Sequence, residues 1–112
     1  MPNMMIAAIF LALQAAAPAA PAPPEVDPVV QEAGRQWAEC TKRVVDAGMS
    51  NRQASDDALA TAALAGCAAE EAVLRREAAR VLGAEQADRF MLIVTGSARD
   101  TILDYLRRTR QR

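Results

Sequence analysis

Apolar residues recur every three or four positions from residue 28 onward, which is the spacing of one face of an α-helix. Asp27 followed by Pro28 is a helix start signal, because a carboxylate caps the first turn and proline fits the first helical position. Gly48 is the predicted stop. A first helix is therefore predicted over 28–47. Its apolar face comprises Val30, Ala33, Trp37, Cys40 and Val44.

A second helix is predicted over 56–82. Ser55 is the favoured N-cap, because two acidic residues follow it in the first turn, where the helix dipole favours negative charge. Ser50, with Gln53 three residues later, is a competing capping box. Gly83 is the predicted stop. The apolar face of this helix comprises Leu59, Ala63, Cys67, Leu74, Ala78 and Val81.

A third helix is predicted over 85–109. Residues 90–95 alone are also typical of a buried strand, and Ser97 with Asp100 could cap a new helix. One continuous helix is favoured, because the apolar face keeps its phase across Gly96 and a lone short strand would have no pairing partner. We therefore expect an all-α fold of three antiparallel helices. The apolar face comprises Ala87, Phe90, Val94, Ala98, Thr101 and Tyr105.

The first part of the chain has the pattern of an export signal. Residues 4–13 form an apolar run of secretory length, and the small-residue sequence Ala17-Pro18-Ala19 follows it. We expect a signal peptide over 1–19, a proline- and alanine-rich tether over 20–27 and one helical domain over 28–112. No Lys or Arg precedes the run, so an uncleaved anchor is the competing interpretation. Export places the protein in the bacterial periplasm or outside the cell.

The two cysteines, Cys40 and Cys67, lie on the apolar faces of the first and second helices. In a helical hairpin their distances back to the turn differ by about one helical turn, which the loop can absorb. An oxidising compartment favours a disulfide between them, and two buried free thiols are the alternative. In the chain-entropy model such a crosslink contributes about 3 to 4 kcal/mol to the free energy of unfolding.

Several kinds of chemistry lack the residues they need. The chain has no histidine, so it lacks the usual general base and the commonest metal ligand. The cysteines are too far apart for a C-x-x-C redox motif, and zinc would need further ligands. Glu70 falls near the apolar face of the second helix, where a buried carboxylate is a candidate functional group. A position at the rim or opposite an arginine is the simpler interpretation. We expect no enzyme activity, no cofactor and no metal.

The charge distribution leaves some partners open. The formal net charge is −1, so bulk electrostatics do not indicate nucleic acid, a membrane or an acidic substrate. Four arginines near the end could touch anionic lipid or an acidic partner, although cations also suit a helix C-terminus. No aromatic residues alternate with them as in single-strand binding, so no nucleic-acid partner is expected. These residues are Arg107, Arg108, Arg110 and Arg112.

The third helix also carries apolar residues away from its main face. A helix that is apolar on two sides is either buried on both or forms an interface. Self-association or docking of a protein partner is therefore one hypothesis, and coverage by the other two helices is the alternative. The residues concerned are Leu92, Gly96, Leu103 and Leu106.

Residues 37–80, with "WAEC" followed by "ALATAALAGCAAEEAVLRR", resemble small exported alanine- and arginine-rich helical proteins of bacteria that carry one cysteine on each of two helices. The resemblance implies export and a helical hairpin, and it assigns no active-site residues. The sequence thus favours a non-catalytic interaction or structural module of the cell envelope. A protein that associates with membranes or polyanions through its basic C-terminal end is the alternative.

Overall fold

A computed structural model of the protein describes residues 26–111 as four α-helices. They are α1 (Pro28–Gly48), α2 (Asp56–Gly66), α3 (Ala68–Leu82) and α4 (Ala84–Arg110). The all-α prediction is confirmed, with no strand among these residues. The prediction of three helices is wrong, because the second helix is divided at Cys67. The predicted signal peptide and all but the last two residues of the tether, as well as Arg112, lie outside the described residues.

The start of α1 follows from its capping residue. The Asp27 carboxylate accepts hydrogen bonds from the backbone N–H groups of Val29 at 2.9 Å and Val30 at 3.2 Å. It also accepts one from Arg80 of α3 at 3.0 Å, which ties the two helix ends together. The Val30 hydrogen bond is the main cause of the lowered pKa of Asp27.

The turn between α1 and α2 uses Ser55 as the N-cap, as predicted. Its hydroxyl accepts from the N–H of Ala58 at 3.1 Å. The competing box does not form, because Ser50 donates instead to the carbonyl of Ala47 at 3.1 Å. Gly48 remains inside α1 and has no positive φ. Its role is close packing, since a Cβ there would lie 2.7 Å from Cδ2 of Leu59.

The division of the predicted second helix occurs at one residue. Cys67 has φ −113° and ψ 28°, outside helical geometry, and its carbonyl already accepts the first hydrogen bond of α3, from Glu71 at 3.0 Å. Buried residues on either side keep the same helical phase, so the apolar pattern gives no sign of the break. Gly66 and the acidic first turn of α3 are the local signals that were available.

The remaining boundary is a glycine turn. Gly83 has φ 86°, a left-handed conformation that favours glycine, and its N–H bonds the carbonyl of Ala79 at 2.9 Å. The chain then reverses into α4, and Arg75 of α3 pairs with Asp88 of α4 at 2.7 Å. α4 continues through Gly96 without interruption, so the continuous helix is confirmed.

The helices pack with α2 and α3 between the other two. α1 and α4 each pack extensively against α2 and α3, whereas they contact one another little. Both run antiparallel to the central pair and therefore parallel to each other. The core has two clusters of buried residues. One contains Ala33, Trp37, Cys40, Cys67, Leu74 and Met91, and the other contains Val45, Leu59, Ala60, Ala63, Ile102 and Leu106.

Two predicted apolar faces need correction. Val81 is 47% exposed, because it lies in the last turn of α3 beyond the core. The predicted face of α4 is rotated by about one residue: Phe90, Val94 and Tyr105 lie at the margin, and Thr101 is exposed. The residues of α4 that are buried in the core are Ala87, Met91, Ile102 and Leu106.

Candidate functional site

The sulfur atoms of Cys40 and Cys67 lie 2.11 Å apart, at disulfide distance, with the Cα atoms separated by 5.9 Å. Both residues are buried in the first core cluster. The pair joins the middle of α1 to the residue between α2 and α3, so it fixes α1 against both central helices. No other cysteine occurs in the sequence.

Glu70 lies beside this pair. It is partly buried, and its carboxylate is within 4.8 Å of both sulfur atoms. It forms no hydrogen bond or ion pair with residues 26–111. Sulfur atoms at bonding distance from each other present no thiolates, and structural zinc takes four ligands. The set of donors is therefore incomplete for zinc, and Glu70 keeps no assigned role.

A small depression of about 480 Å³ between α1 and α3 contains Glu70 together with Glu32 and Glu77. Glu32 accepts a hydrogen bond from Arg35, the main cause of the lowering of its pKa to about 2. Glu77 accepts one from Arg80 at 2.8 Å. Two of the three carboxylates are thus engaged as ion pairs, and the described residues supply no nucleophile or base beside Glu70.

The basic end of α4 is partly used within the fold. Arg110 pairs with Asp56 at 2.7 Å, which ties the end of α4 to the start of α2. Arg108 pairs with Asp104 of its own helix at 3.1 Å. Arg107 is exposed. The three arginines that the structure describes therefore do not form one free patch, and Arg112 lies outside the described residues.

The structure also separates the four apolar residues that were grouped as a second face of α4. Leu106 is fully buried in the second core cluster, and Leu103 packs against the same cluster. Only Leu92, 76% exposed, and Gly96 remain at the surface. Leu106 is therefore a core residue, and the predicted interaction face is reduced to one turn of α4.

A larger apolar surface lies on the opposite side of α4. Because α1 and α4 barely touch, a groove of about 730 Å³ remains between them, which we call the α1–α4 groove. Buried core side chains line its floor: Trp37, Val45, Leu74 and Ile102. Its walls include Val30, Gly34, Ala38 and Thr41 from α1, and Phe90, Ile93, Val94, Ser97, Ala98, Thr101 and Tyr105 from α4.

Trp37 is the only tryptophan in the chain and lines the groove. Its indole N–H is buried and has no acceptor among residues 26–111. An unpaired buried donor costs about 1 to 3 kcal/mol, and native folds rarely carry one.

One end of the groove is polar. Lys42 pairs with Asp46 at 2.7 Å, and its ammonium lies 5.6 Å from the centre of the Tyr105 ring. The Tyr105 hydroxyl donates to the same carboxylate at 2.7 Å. These hydrogen bonds, led by that of Lys42, lower the pKa of Asp46, and the bond to Asp46 raises the pKa of Tyr105. Arg108 completes this end.

Comparisons with known proteins add no further assignment. No protein-family model matches the chain, and searches of curated proteins and of solved structures found no match. Among the described helices, none combines the length and the apolar character needed to cross a membrane.

The sequence contained one signal for the groove. Gly34, Ala38 and Thr41 recur at intervals of four and three along α1, so small side chains follow one line beside the apolar face. A row of small residues in a helix permits either close packing or an open channel. Distinguishing these outcomes requires the position of α4, which the sequence pattern does not provide.

Proposed function

We propose that this protein is an exported, disulfide-linked, non-catalytic binding module of the cell envelope, and that the α1–α4 groove is its ligand-binding surface. The groove itself is the observation that carries the proposal. Its volume lies within the range of about 300 to 1,000 Å³ of small-molecule sites, and mostly apolar walls with a few polar groups are typical of such sites.

The Cys40–Cys67 pair supports this function because it holds α1, one wall of the groove, in position. A groove between two helices stays open only if each helix is attached to a third part of the fold. The Cys40–Cys67 pair fixes α1 on the central helices, and the buried side chains of Met91, Ile102 and Leu106 pack α4 on them. Both walls are therefore anchored to α2 and α3, and within residues 26–111 the space between them can hold a ligand.

The other surfaces support competing functions less well. Arg110 is held in an ion pair with Asp56 of α2, so the basic end of α4 is partly neutralised within the fold, which weakens the case for membrane or polyanion association. Anionic liposomes test that alternative: salt-sensitive co-sedimentation that is lost when residues 107–112 are deleted would favour it over the groove. We expect no such binding.

Binding in the groove is tested with an apolar fluorescent probe such as anilinonaphthalene sulfonate. A side chain at Gly34 would enter open space in the groove, and one at Gly96 would enter open space elsewhere on α4. We expect the oxidised protein to bind the probe, Gly34→Leu to weaken binding at least tenfold, and Gly96→Leu to leave it unchanged. Equal effects of both variants, or no binding, would contradict the proposal.

A further inference from the structure

We propose that the guest of the α1–α4 groove is a long-chain fatty acid, with its carboxylate at the Lys42–Arg108 end and its alkyl chain extending towards Val30 and Phe90. This assignment rests on the proposed function and adds the chemistry of the ligand. It follows from the charge, the length and the shape of the groove.

The charged side chains that line the groove are confined to one end, and both are cations. Among the described residues that line it, Lys42 and Arg108 are the only charged side chains, and their partners Asp46 and Asp104 lie outside the lining. Lys42 lies over the Tyr105 ring, and Arg108 follows Tyr105 by three positions, so both cations share that end. A guest with one anionic group and an otherwise apolar body matches this distribution.

Donors remain available for an anionic headgroup. The Lys42 ammonium has three N–H groups and makes one described contact with a carboxylate, that of Asp46. The Arg108 guanidinium has five and contacts only Asp104 of its own helix. Both pairs are exposed, so a carboxylate can approach without either cation leaving its partner. Arginine and lysine donors to a carboxylate form the stronger, charge-assisted class of hydrogen bond.

The length of the groove fits a single alkyl chain. Val30 and Lys42 are separated by about 18 Å of helix rise. An extended alkyl chain advances about 1.3 Å per carbon, from C–C bonds of roughly 1.5 Å, so this distance holds about 14 carbons. The distal end is lined mainly by the apolar side chains of Val26, Val30, Phe90 and Ile93, with Gln31 beside them. A chain of about 14 to 16 carbons therefore reaches from the cations to the apolar end.

The experiment uses the oxidised full-length protein and palmitate, titrated below the concentration at which palmitate aggregates. Trp37 lines the groove and is the only tryptophan, so its fluorescence reports occupancy of this site. Calorimetry measures the stoichiometry independently. We expect saturable one-to-one binding. Methyl palmitate, which has the same chain without the charge, should bind at least tenfold more weakly.

Matched variants separate the headgroup from the chain. Lys42→Gln combined with Arg108→Gln should weaken palmitate binding about tenfold and leave methyl palmitate unaffected. Arg107→Gln, next to Arg108 but outside the groove, should change neither. Gly34→Leu and, as a second groove variant, Ala38→Leu should weaken the binding of both palmitate and methyl palmitate. Circular dichroism checks that each variant is folded.

The outcomes distinguish this inference from the function on which it rests. If the groove variants block an apolar probe but palmitate and its methyl ester bind equally, the fatty-acid assignment is overturned and the binding module stands. If palmitate binds with equal affinity to Gly34→Leu and to the unmodified protein, the site is elsewhere and the assignment also fails. If neither the probe nor palmitate binds, both proposals are overturned.

Discussion

The Tyr105 hydroxyl donates a 2.7 Å hydrogen bond to the Asp46 carboxylate, and this contact joins the two helices that border the α1–α4 groove. Lys42 pairs with the same carboxylate one helical turn earlier. The three side chains therefore link the C-terminal ends of α1 and α4, where the described helices otherwise make little contact.

The contact between Tyr105 and Asp46 predicts that the Tyr105 hydroxyl ionises at a higher pH than a free tyrosine. The hydrogen bond to Asp46 raises the folded-state pKa of Tyr105 above its ordinary value of 10.0. The contribution of this bond to stability is therefore complete below about pH 10 and is lost as the pH rises through the folded-state pKa. Tyr105 is the only tyrosine, so ultraviolet difference spectroscopy measures its ionisation directly. Asp46→Ala should return the pKa towards 10.0, and Asp104→Ala should not.

Replacement by alanine should change the free energy of unfolding in opposite directions at two glycines of α1. Gly34→Ala places its Cβ in open space, and the gain in helix propensity should raise the free energy of unfolding by up to about 1 kcal/mol. Gly48→Ala places its Cβ 2.7 Å from the buried Leu59, and overpacking should lower it by about 1 to 2 kcal/mol. Urea denaturation measures both. A stabilising Gly48→Ala would contradict the close packing of α1 on α2.

Replacing Arg110 or Arg107 should change the free energy of unfolding by different amounts, although both residues lie in the last turn of α4. Arg110 pairs with Asp56 at 2.7 Å and its side chain is only 23% exposed, so Arg110→Gln should cost about 1 kcal/mol. Arg107 makes no described ion pair, and Arg107→Gln should change the free energy of unfolding by less than about 0.5 kcal/mol. Equal effects would mean that the Arg110–Asp56 pair does not hold α4 on α2.

Loss of the crosslink should be the most destabilising of these changes. The cysteines are 27 positions apart, and the chain-entropy model assigns about 3 to 4 kcal/mol to closing such a loop. Replacing both cysteines by alanine should therefore lower the Tm by roughly 12 to 32 °C, at about 4 to 8 °C per kcal/mol for a domain of this size. Differential scanning calorimetry gives the value, and reductant should bring the unmodified protein to the same Tm. An unchanged Tm in reductant would show that the thiols were never joined.

Helical spacing and capping chemistry were enough to predict most of the fold. Asp27 and Ser55 act as the predicted caps, and Cys40 and Cys67 meet because both lie on buried faces. The break at Cys67 could not be read from periodicity, since buried residues before and after it stay in phase. Leu106 was misassigned because a small error in the orientation of α4 moves a residue from the surface to the core.

The candidate site depended on tertiary geometry that the sequence does not encode locally. Lys42 and Tyr105 lie on helices that are far apart in the chain and parallel in space, and no local pattern predicts their contact. Glu70 lies beside the crosslink, near the apolar face to which its phase assigned it, and it makes no hydrogen bond or ion pair with the described residues. The groove exists because α2 and α3 separate α1 from α4, a property of the whole packing arrangement.

Native mass spectrometry of the protein isolated from the cells that produce it tests the central claim most directly. It reports the N-terminus, the oxidation state of the cysteines and any bound small molecule in one measurement. We predict a chain that begins at Ala20, is two hydrogens lighter than the reduced form and carries a fatty acid that dissociates on activation. A ligand-free chain that retains Met1 and both free thiols would contradict the account.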